Sequence, residues 1–244
     1  MKCFASVSGG LDSTAMAIIL SQKHPEYEYI FADTGDEFPQ VFKHLDKMES
    51  VLGIKIIRVK NHRYTLGEYE IKSKYFPSYQ SRFCTRMFKI KPIQEYCSRY
   101  KPYKMAIGLR ADEDRTGGLG RECIYPLKEY GIKKCDVVTL CQAKGLIPQY
   151  PWYMSRGGCY SCFFKSKNEL LALAKYEPEL FNNLIEREEY INSKFNVRYK
   201  YYTMFDKFNI PLRRVKEIAD SQEQIEMFER GNTYDADCGV FCRK

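Results

Sequence analysis

Along the first hundred positions, short apolar runs alternate with longer stretches whose apolar residues recur at helical spacing. KCFASV (2–7) reads as a buried strand, and LDSTAMAIILSQ (11–22) as the helix after it. YEYIFAD (27–33) is a second strand and EFPQVFKHLDKMESVLG (37–53) a second helix. IKIIRVK (54–60) is a third strand, TRMFKIKPIQEYCSRY (85–100) is helical with Pro92 near a start or a kink, and KMAIGL (104–109) is a fourth strand. Strands separated by helices predict an open parallel sheet with helices on both faces.

Beyond Leu109 the pattern changes. ADEDRTGGLGRE (111–122) is charged and rich in glycine, which predicts a mobile loop. LKEYGIKKCDVVTLCQAKG (127–145) reads as a turn and then a helix ending near Gly145. QYPWYMSRGGCYSC (149–162) is irregular and aromatic, and most of the remainder is helical. The expected division is an α/β nucleotide-binding domain over 1–150 and a helical lobe flanked by cysteines over 151–244.

Composition narrows the class. With 44% apolar and 29% charged residues over 244 positions, the chain is neither collagenous nor mainly disordered. No apolar run is long enough to span a membrane, and the first residues lack a secretory pattern, so the expected location is the cytoplasm. The formal charge of +8 fits a phosphate-bearing ligand or nucleic acid, and equally a plain basic surface. Ten cysteines without an export signal predict metal or redox chemistry rather than a disulfide framework.

Ser8-Gly9-Gly10-Leu11-Asp12-Ser13-Thr14 lies between the first strand and the first helix. Two glycines allow a sharp turn close to a ligand, helix N–H groups face the anion, and Ser8, Ser13 and Thr14 add hydroxyls. A plain capped strand–helix turn is the bland alternative. The lysine of the Walker-type phosphate loop is missing. The string resembles the SGGxDS pyrophosphate loop of the PP-loop superfamily of ATP pyrophosphatases.

Further segments resemble, in the same order, the phosphoadenosine-phosphosulfate (PAPS) reductase-like family. Asp33-Thr34-Gly35-Asp36-Glu37-Phe38-Pro39 is similar to its DTGxEFP element, which lies beside the adenosine. Arg82-Phe83-Cys84-Thr85, with Lys89 and Pro92, is similar to R-x-C-T…K-x-x-P. Gly108-Leu109-Arg110, with Asp114-Arg115, is similar to G-x-R…[ED]-x-R. Arginines at such places can hold phosphate or sulfate in bidentate fashion.

The resemblance implies an adenine nucleotide held by Ser8, Gly9, Gly10, Asp12, Ser13, Thr14, Asp33, Thr34, Gly35, Arg82, Lys89, Gly108, Arg110 and Arg115. True PAPS reductases carry an altered glycine loop, whereas this one resembles the intact version that cleaves ATP. That implies ATP with Mg²⁺, release of AMP and pyrophosphate, and adenylation of an acceptor in sulfur transfer or nucleic-acid modification. Asp12 would organise the metal or phosphate side. A sulfonucleotide (PAPS or APS) reductase and a non-catalytic, zinc-stabilised nucleotide-binding module are the alternatives. Nucleic acid and a sulfur donor are the candidate partners, and the oligomeric state is left open.

Cys159-x2-Cys162 and Cys238-x3-Cys242 offer four thiolates for Zn²⁺ or a 4Fe-4S cluster, and their bland reading is four small buried hydrophobes. A rival set pairs Cys84 with Cys159 and Cys162, as the resemblance to APS reductases and tRNA thiolation enzymes implies. Cys84 lies among Arg82, Arg86 and Lys89, a setting expected to lower its pKa. It is a candidate sulfur carrier, a ligand, or an inert buried thiol. His24, His44 and His62 fit no ligand pattern, and Tyr199-Lys200-Tyr201-Tyr202 mixes basic and aromatic residues as a stacking surface can.

Overall fold

The computed structural model describes residues 1–114, 123–155, 157–194, 201–205 and 208–221. Arg115, Cys238 and Cys242 lie outside them, as do most of the glycine-rich segment after Asp114 and the end of the last helical stretch.

The first elements are β1 (Lys2–Ser6), α1 (Leu11–Lys23), β2 (Tyr27–Asp33), α2 (Pro39–Leu52), β3 (Ile56–Lys60) and α3 (Leu66–Ser73). Next come α4 (Phe83–Thr85), a π-helical turn (Arg86–Ile90), α5 (Lys91–Cys97), β4 (Tyr103–Ile107) and β5 (Cys123–Ile124). The chain continues with α6 (Pro126–Glu129), α7 (Lys134–Ala143), α8 (Lys167–Tyr176), α9 (Pro178–Ser193) and α10 (Leu212–Ser221). The five strands form one sheet in the order β3-β2-β1-β4-β5, and every pairing is parallel. The predicted mixed α/β fold with an open parallel sheet is therefore present. None of the described helices is long and apolar enough to cross a membrane.

The sheet alternates its side chains between two cores, as the two-residue period of a strand requires. Ala5, Tyr29 and Phe31 enter the larger core with α1, α2 and α7. Phe4, Ile30, Ala32 and Met105 face the other side, where Ile93 and Cys97 of α5 cover them. Helix α1 is buried from Asp12 through Leu20 because it lies between the sheet, α2 and α7, which explains its unbroken AMAIIL run. The larger core is continuous: it also takes in Leu173 of α8, Leu184 of α9 and Val215 of α10.

Three local features refine the sequence expectation. Pro92 is the second residue of α5, near a helix start as expected. It follows the π-helical turn, in which the Lys91 N–H bonds to the Arg86 carbonyl, and the widened turn absorbs the donor that proline lacks. The long helical stretch after Asn168 is divided at Glu177, because the residue before Pro178 is driven out of the helical region. Helix α3 starts at a Thr65–Glu68 capping box, a T-x-x-E signal that its modest apolar content obscures.

Candidate functional site

Strand order reverses between β1 and β4. In open α/β sheets, ligands bind beyond the carboxyl ends of the strands at such a switch point. Two segments named from the sequence meet there: the loop after β1 and the Gly108–Arg110 turn after β4.

The loop after β1 is held mostly by its own residues. Gly9 has φ +73, a left-handed conformation that glycine adopts without strain, and a Cβ there would lie 3.0 Å from Val41 Cγ1. The Ser13 hydroxyl donates to the Gly10 carbonyl (2.9 Å) and accepts from the Ser8 N–H (3.1 Å). Ser8 Oγ lies 3.2 Å from Ser13 Oγ, so the two hydroxyls face each other across the loop. Thr14 is fully buried, with its hydroxyl donating to the Gly10 carbonyl and lying 2.9 Å from His44 Nε2, so it braces the loop from behind. Burial, with Lys47 adding to it, pushes His44 down to about 4 and keeps it neutral. Tyr150 braces the other side by donating its hydroxyl to the Gly9 carbonyl at 2.7 Å. Neither His44 nor Tyr150 belongs to a sequence motif, and only the fold brings them to the loop.

Arg110 ties the β4 end to this loop. Its guanidinium donates to Asp12 Oδ2 at 2.8 Å and to Asp112 Oδ1 at 3.0 Å, and lies 3.3 Å from Glu113. Gly108 permits the approach, since a Cβ there would come within 3.0 Å of the Asp12 carbonyl oxygen and 3.1 Å of the Ser13 nitrogen. Asp12 is thus a buried carboxylate at a helix N-terminus, fixed by a cation from a neighbouring strand end.

The β2 end is built differently. Gly35 turns at φ +86, and its N–H donates to Asp33 Oδ1 at 2.8 Å. Thr34 donates its N–H (3.0 Å) and its hydroxyl (2.7 Å) to the Glu37 carboxylate. The Gly158–Tyr160 segment then lies against this turn. The Phe38 N–H donates to the Gly158 carbonyl (3.1 Å), and the Tyr160 N–H to the Asp36 carbonyl (2.7 Å). Cys159 Sγ lies 3.4 Å from Glu37 Oε1 and 3.5 Å from Thr34 Oγ1. Burial raises the pKa of both Glu37 and Cys159, against the pull of the Lys89 ammonium.

Lys89 also acts on Cys84, and here the expectation from sequence is corrected. Lys89 and Arg82 do favour the Cys84 thiolate, but burial outweighs them and the thiol pKa rises. Arg86 is exposed and does not enter the balance. Arg82 instead lays its guanidinium over the Phe164 ring at 5.3 Å. Among the described residues no group of three or more His, Cys, Asp and Glu side chains is placed to hold a metal ion. The three-thiol set of Cys84, Cys159 and Cys162 is therefore not assembled as a ligand group, and the Cys159 thiol is engaged with Thr34 and Glu37. The four-cysteine set has its second pair outside the described residues.

A buried ion cluster fastens α9 to the turn after β2. Arg187 donates to both oxygens of Asp36 (2.7 and 2.9 Å) and to the Tyr160 hydroxyl (2.8 Å), and lies 3.4 Å from Glu70 Oε2. Burial opposes the Arg187 charge, but hydrogen bonding to Asp36 and its negative charge raise the pKa overall. Glu70 is pushed up to about 8 by burial and then by the Asp36 charge, so it is mostly protonated at neutral pH. Its Oε1 is buried without a hydrogen-bond partner, which costs less on a neutral carboxyl than on a carboxylate.

Comparison with known proteins agrees with this arrangement. Residues 2–120 match the phosphoadenosine phosphosulfate reductase domain. An uncharacterized protein of Methanocaldococcus jannaschii is 25% identical over 194 residues, covering 74% of this chain and 46% of that protein. The adenosine 5′-phosphosulfate reductase of Streptomyces coelicolor is 29% identical over 113 residues, covering 45% of this chain and 46% of that enzyme. The matched part thus spans about half the length of these relatives. A solved PAPS reductase from Candida auris, in a phosphate complex, aligns with TM-score 0.48 and 17% identity over 59% of this chain and 73% of that one. The match runs over β1 to β4 and the motifs at their ends, so this part of the chain is similar to the phosphoadenosine phosphosulfate reductase domain.

Proposed function

We propose that this chain is a cytoplasmic enzyme that binds ATP with Mg²⁺ and transfers AMP to an acceptor, releasing pyrophosphate. The observation that carries this reading is the Ser8–Ser13 loop at the switch point, with Asp12 fixed by Arg110 at 2.8 Å. The acceptor's oxygen attacks the α-phosphorus, the bond to the bridging oxygen breaks, and pyrophosphate leaves carrying that bond's electron pair. The first N–H groups of α1 face the loop and suit the leaving anion. Asp12 is the carboxylate that would face a Mg²⁺ ion bound with the nucleotide, and such an ion would supply charge neutralisation. In this reading Thr34, Gly35 and Asp33 border the adenosine, Arg82 and Lys89 bind the nucleotide with Gly108 and Arg110, and Cys84 is the candidate sulfur carrier. Residues 1–150 would form the nucleotide-binding unit, and 151–244 a lobe carrying Zn²⁺ or a 4Fe-4S cluster on Cys159, Cys162, Cys238 and Cys242.

The test is AMP and pyrophosphate release from ATP with Mg²⁺ and a panel of acceptors. Asp12→Ala and Ser13→Ala should each reduce release by about a hundredfold or more, as loss of charge-organising groups does. Unchanged release in both variants would remove the loop from the mechanism. A second reading, sulfonucleotide reduction, is favoured by the Cys159 thiol beside the β2 end, 3.5 Å from Thr34 Oγ1. Sulfite release from APS or PAPS, without pyrophosphate from ATP, would decide for it. Metal and acid-labile sulfide content of protein purified without oxygen separates zinc from a cluster.

A further inference from the structure

A cavity of about 230 Å³ is walled by Phe76, Pro77, Tyr79, Phe163, Phe164 and Tyr202. Its rings come from three separate parts of the chain. Tyr202 stacks on Phe76 with centroids 5.2 Å apart and planes at 28°, and Phe163 lies on Phe164 at 4.3 Å. Tyr79 meets Phe164 edge-on at 6.3 Å.

The walls are held in place. The Tyr202 hydroxyl accepts from the Phe76 N–H at 3.1 Å, and Asn192 holds the Tyr202 backbone through both its N–H and its carbonyl (2.8 and 2.9 Å). The turn that presents Tyr79 is closed by the Ser78 N–H on the Ser81 carbonyl (3.1 Å) and the Ser81 N–H on Ser78 Oγ (3.2 Å). At its tip Tyr79 is 68% exposed, so this ring stands at the mouth instead of filling the core.

We infer that the cavity is a stacking site for one unpaired base of a nucleic-acid strand. Its volume is below the roughly 300–1,000 Å³ of sites that take drug-sized ligands, which limits the occupant to a single ring system. Aromatic faces accept any base, and Ser78, Gln80 and Thr203 supply polar groups along the lining for a base edge. The charge matches a strand: the Arg82 guanidinium sits 5.3 Å over Phe164, and the chain carries a formal +8. Phe163 and Phe164 directly follow Cys162, and Arg82 lies two residues before Cys84. A stacked base would therefore lie next to the residue that follows Cys162, with Arg82 over Phe164 as the link to the Cys84 segment. The inference deepens the proposed adenylation by naming its acceptor class and rests on that reading for its chemical meaning; the binding itself does not depend on it.

The test titrates the full-length protein, without ATP, into a short single strand carrying one fluorescent purine analogue. Quenching of the analogue is expected, with affinity falling about five- to a hundredfold in Tyr79→Ala and in Phe164→Ala, and largely kept in Tyr79→Phe. Tyr79 is exposed enough that its variant should melt with the parent, and that melt is measured alongside. Equal affinity of parent and Tyr79→Ala would overturn the site. So would an abasic strand of the same length that binds as tightly, since the contact would then be with phosphate alone. A free purine nucleoside that binds as tightly as the strand would overturn the strand as occupant. Failure of this binding leaves pyrophosphate release untouched, and failure of pyrophosphate release leaves the binding result standing.

Discussion

The ends of β1 and β2 solve neighbouring problems by opposite means. The loop after β1 gets most of its shape from within: Ser8, Gly10, Ser13 and Thr14 hold one another over a few residues. The turn after β2 has a local Thr34–Glu37 knot, but its outer side is completed by residues more than a hundred positions away, Cys159, Tyr160 and Arg187. The first end is therefore a motif and the second is an interface. A motif should fail by losing chemistry, whereas an interface should fail by losing the fold.

The largest effect is expected at the interface. Arg187→Leu leaves Asp36 buried without its cation, which costs about 3–5 kcal/mol. A fall in the urea midpoint that, multiplied by an unchanged slope, gives a loss of that size would support the contrast. A loss no larger than that of an exposed arginine would break it.

Next comes pH. Glu70 is held above its unfolded value, up to about 8, so the folded chain keeps a proton that the unfolded chain has already released. Between about pH 4.5 and 8 stability should fall as pH rises, by roughly 2–4 kcal/mol. Glu37 and Glu188 are shifted in the same direction and buried His44 in the opposite one, so the measurement is the difference between the parent and Glu70→Gln. That difference should grow in favour of Glu70→Gln from pH 5 to pH 8. A constant difference would mean that Glu70 is already ionised.

The smallest effects sharpen the comparison with one methyl group at each end. At Gly67 of α3, an added Cβ would run into the Arg187 guanidinium. Better helix propensity would return about 1 kcal/mol, but overpacking against an anchored side chain costs about 1–3 kcal/mol, so Gly67→Ala should melt lower. At Gly9 the φ of +73 costs an alanine about 1–2 kcal/mol, and the added carbon presses on Val41 at 3.0 Å. Gly9→Ala should lose proportionally far more pyrophosphate release than stability, read from kcat and thermal midpoint on one preparation. Equal losses in both would erase the distinction between motif and interface.

The same distinction explains what the sequence disclosed. Strand and helix periods located β1 to β4 and α1, α2 and α7, because each repeats its apolar spacing over several turns or pleats. The glycine loop was legible because its hydrogen bonds close within a few residues. Gly108 and Arg110 were also legible, as motif residues, although the ion pair to Asp12 was not. His44, Tyr150 and Arg187 had no local signal: each gains its role only when the sheet brings distant segments together. The Cys84 pKa went the wrong way for a related reason. Sequence displays the cations near a thiol but not its burial, and burial is the larger of the two effects here. Tyr202, singled out only weakly within a basic–aromatic run, turned out to form a wall of the aromatic cavity.

The junction of Asp36 with Arg187 also orders events during synthesis. The two residues are 151 positions apart, so a growing chain can complete β1, α1 and β2 long before the partner of Asp36 has been made. Until α9 emerges, Asp36 and Glu70 have no Arg187 to neutralise them, and both carboxyl groups stay hydrated. The β2 end of the sheet therefore closes late, as a long-range contact whose loop-closure cost must be met before it returns any stability. Chains released before α9 would carry the glycine loop without a finished neighbour. Quality-control proteases would meet them with the β2 turn still open.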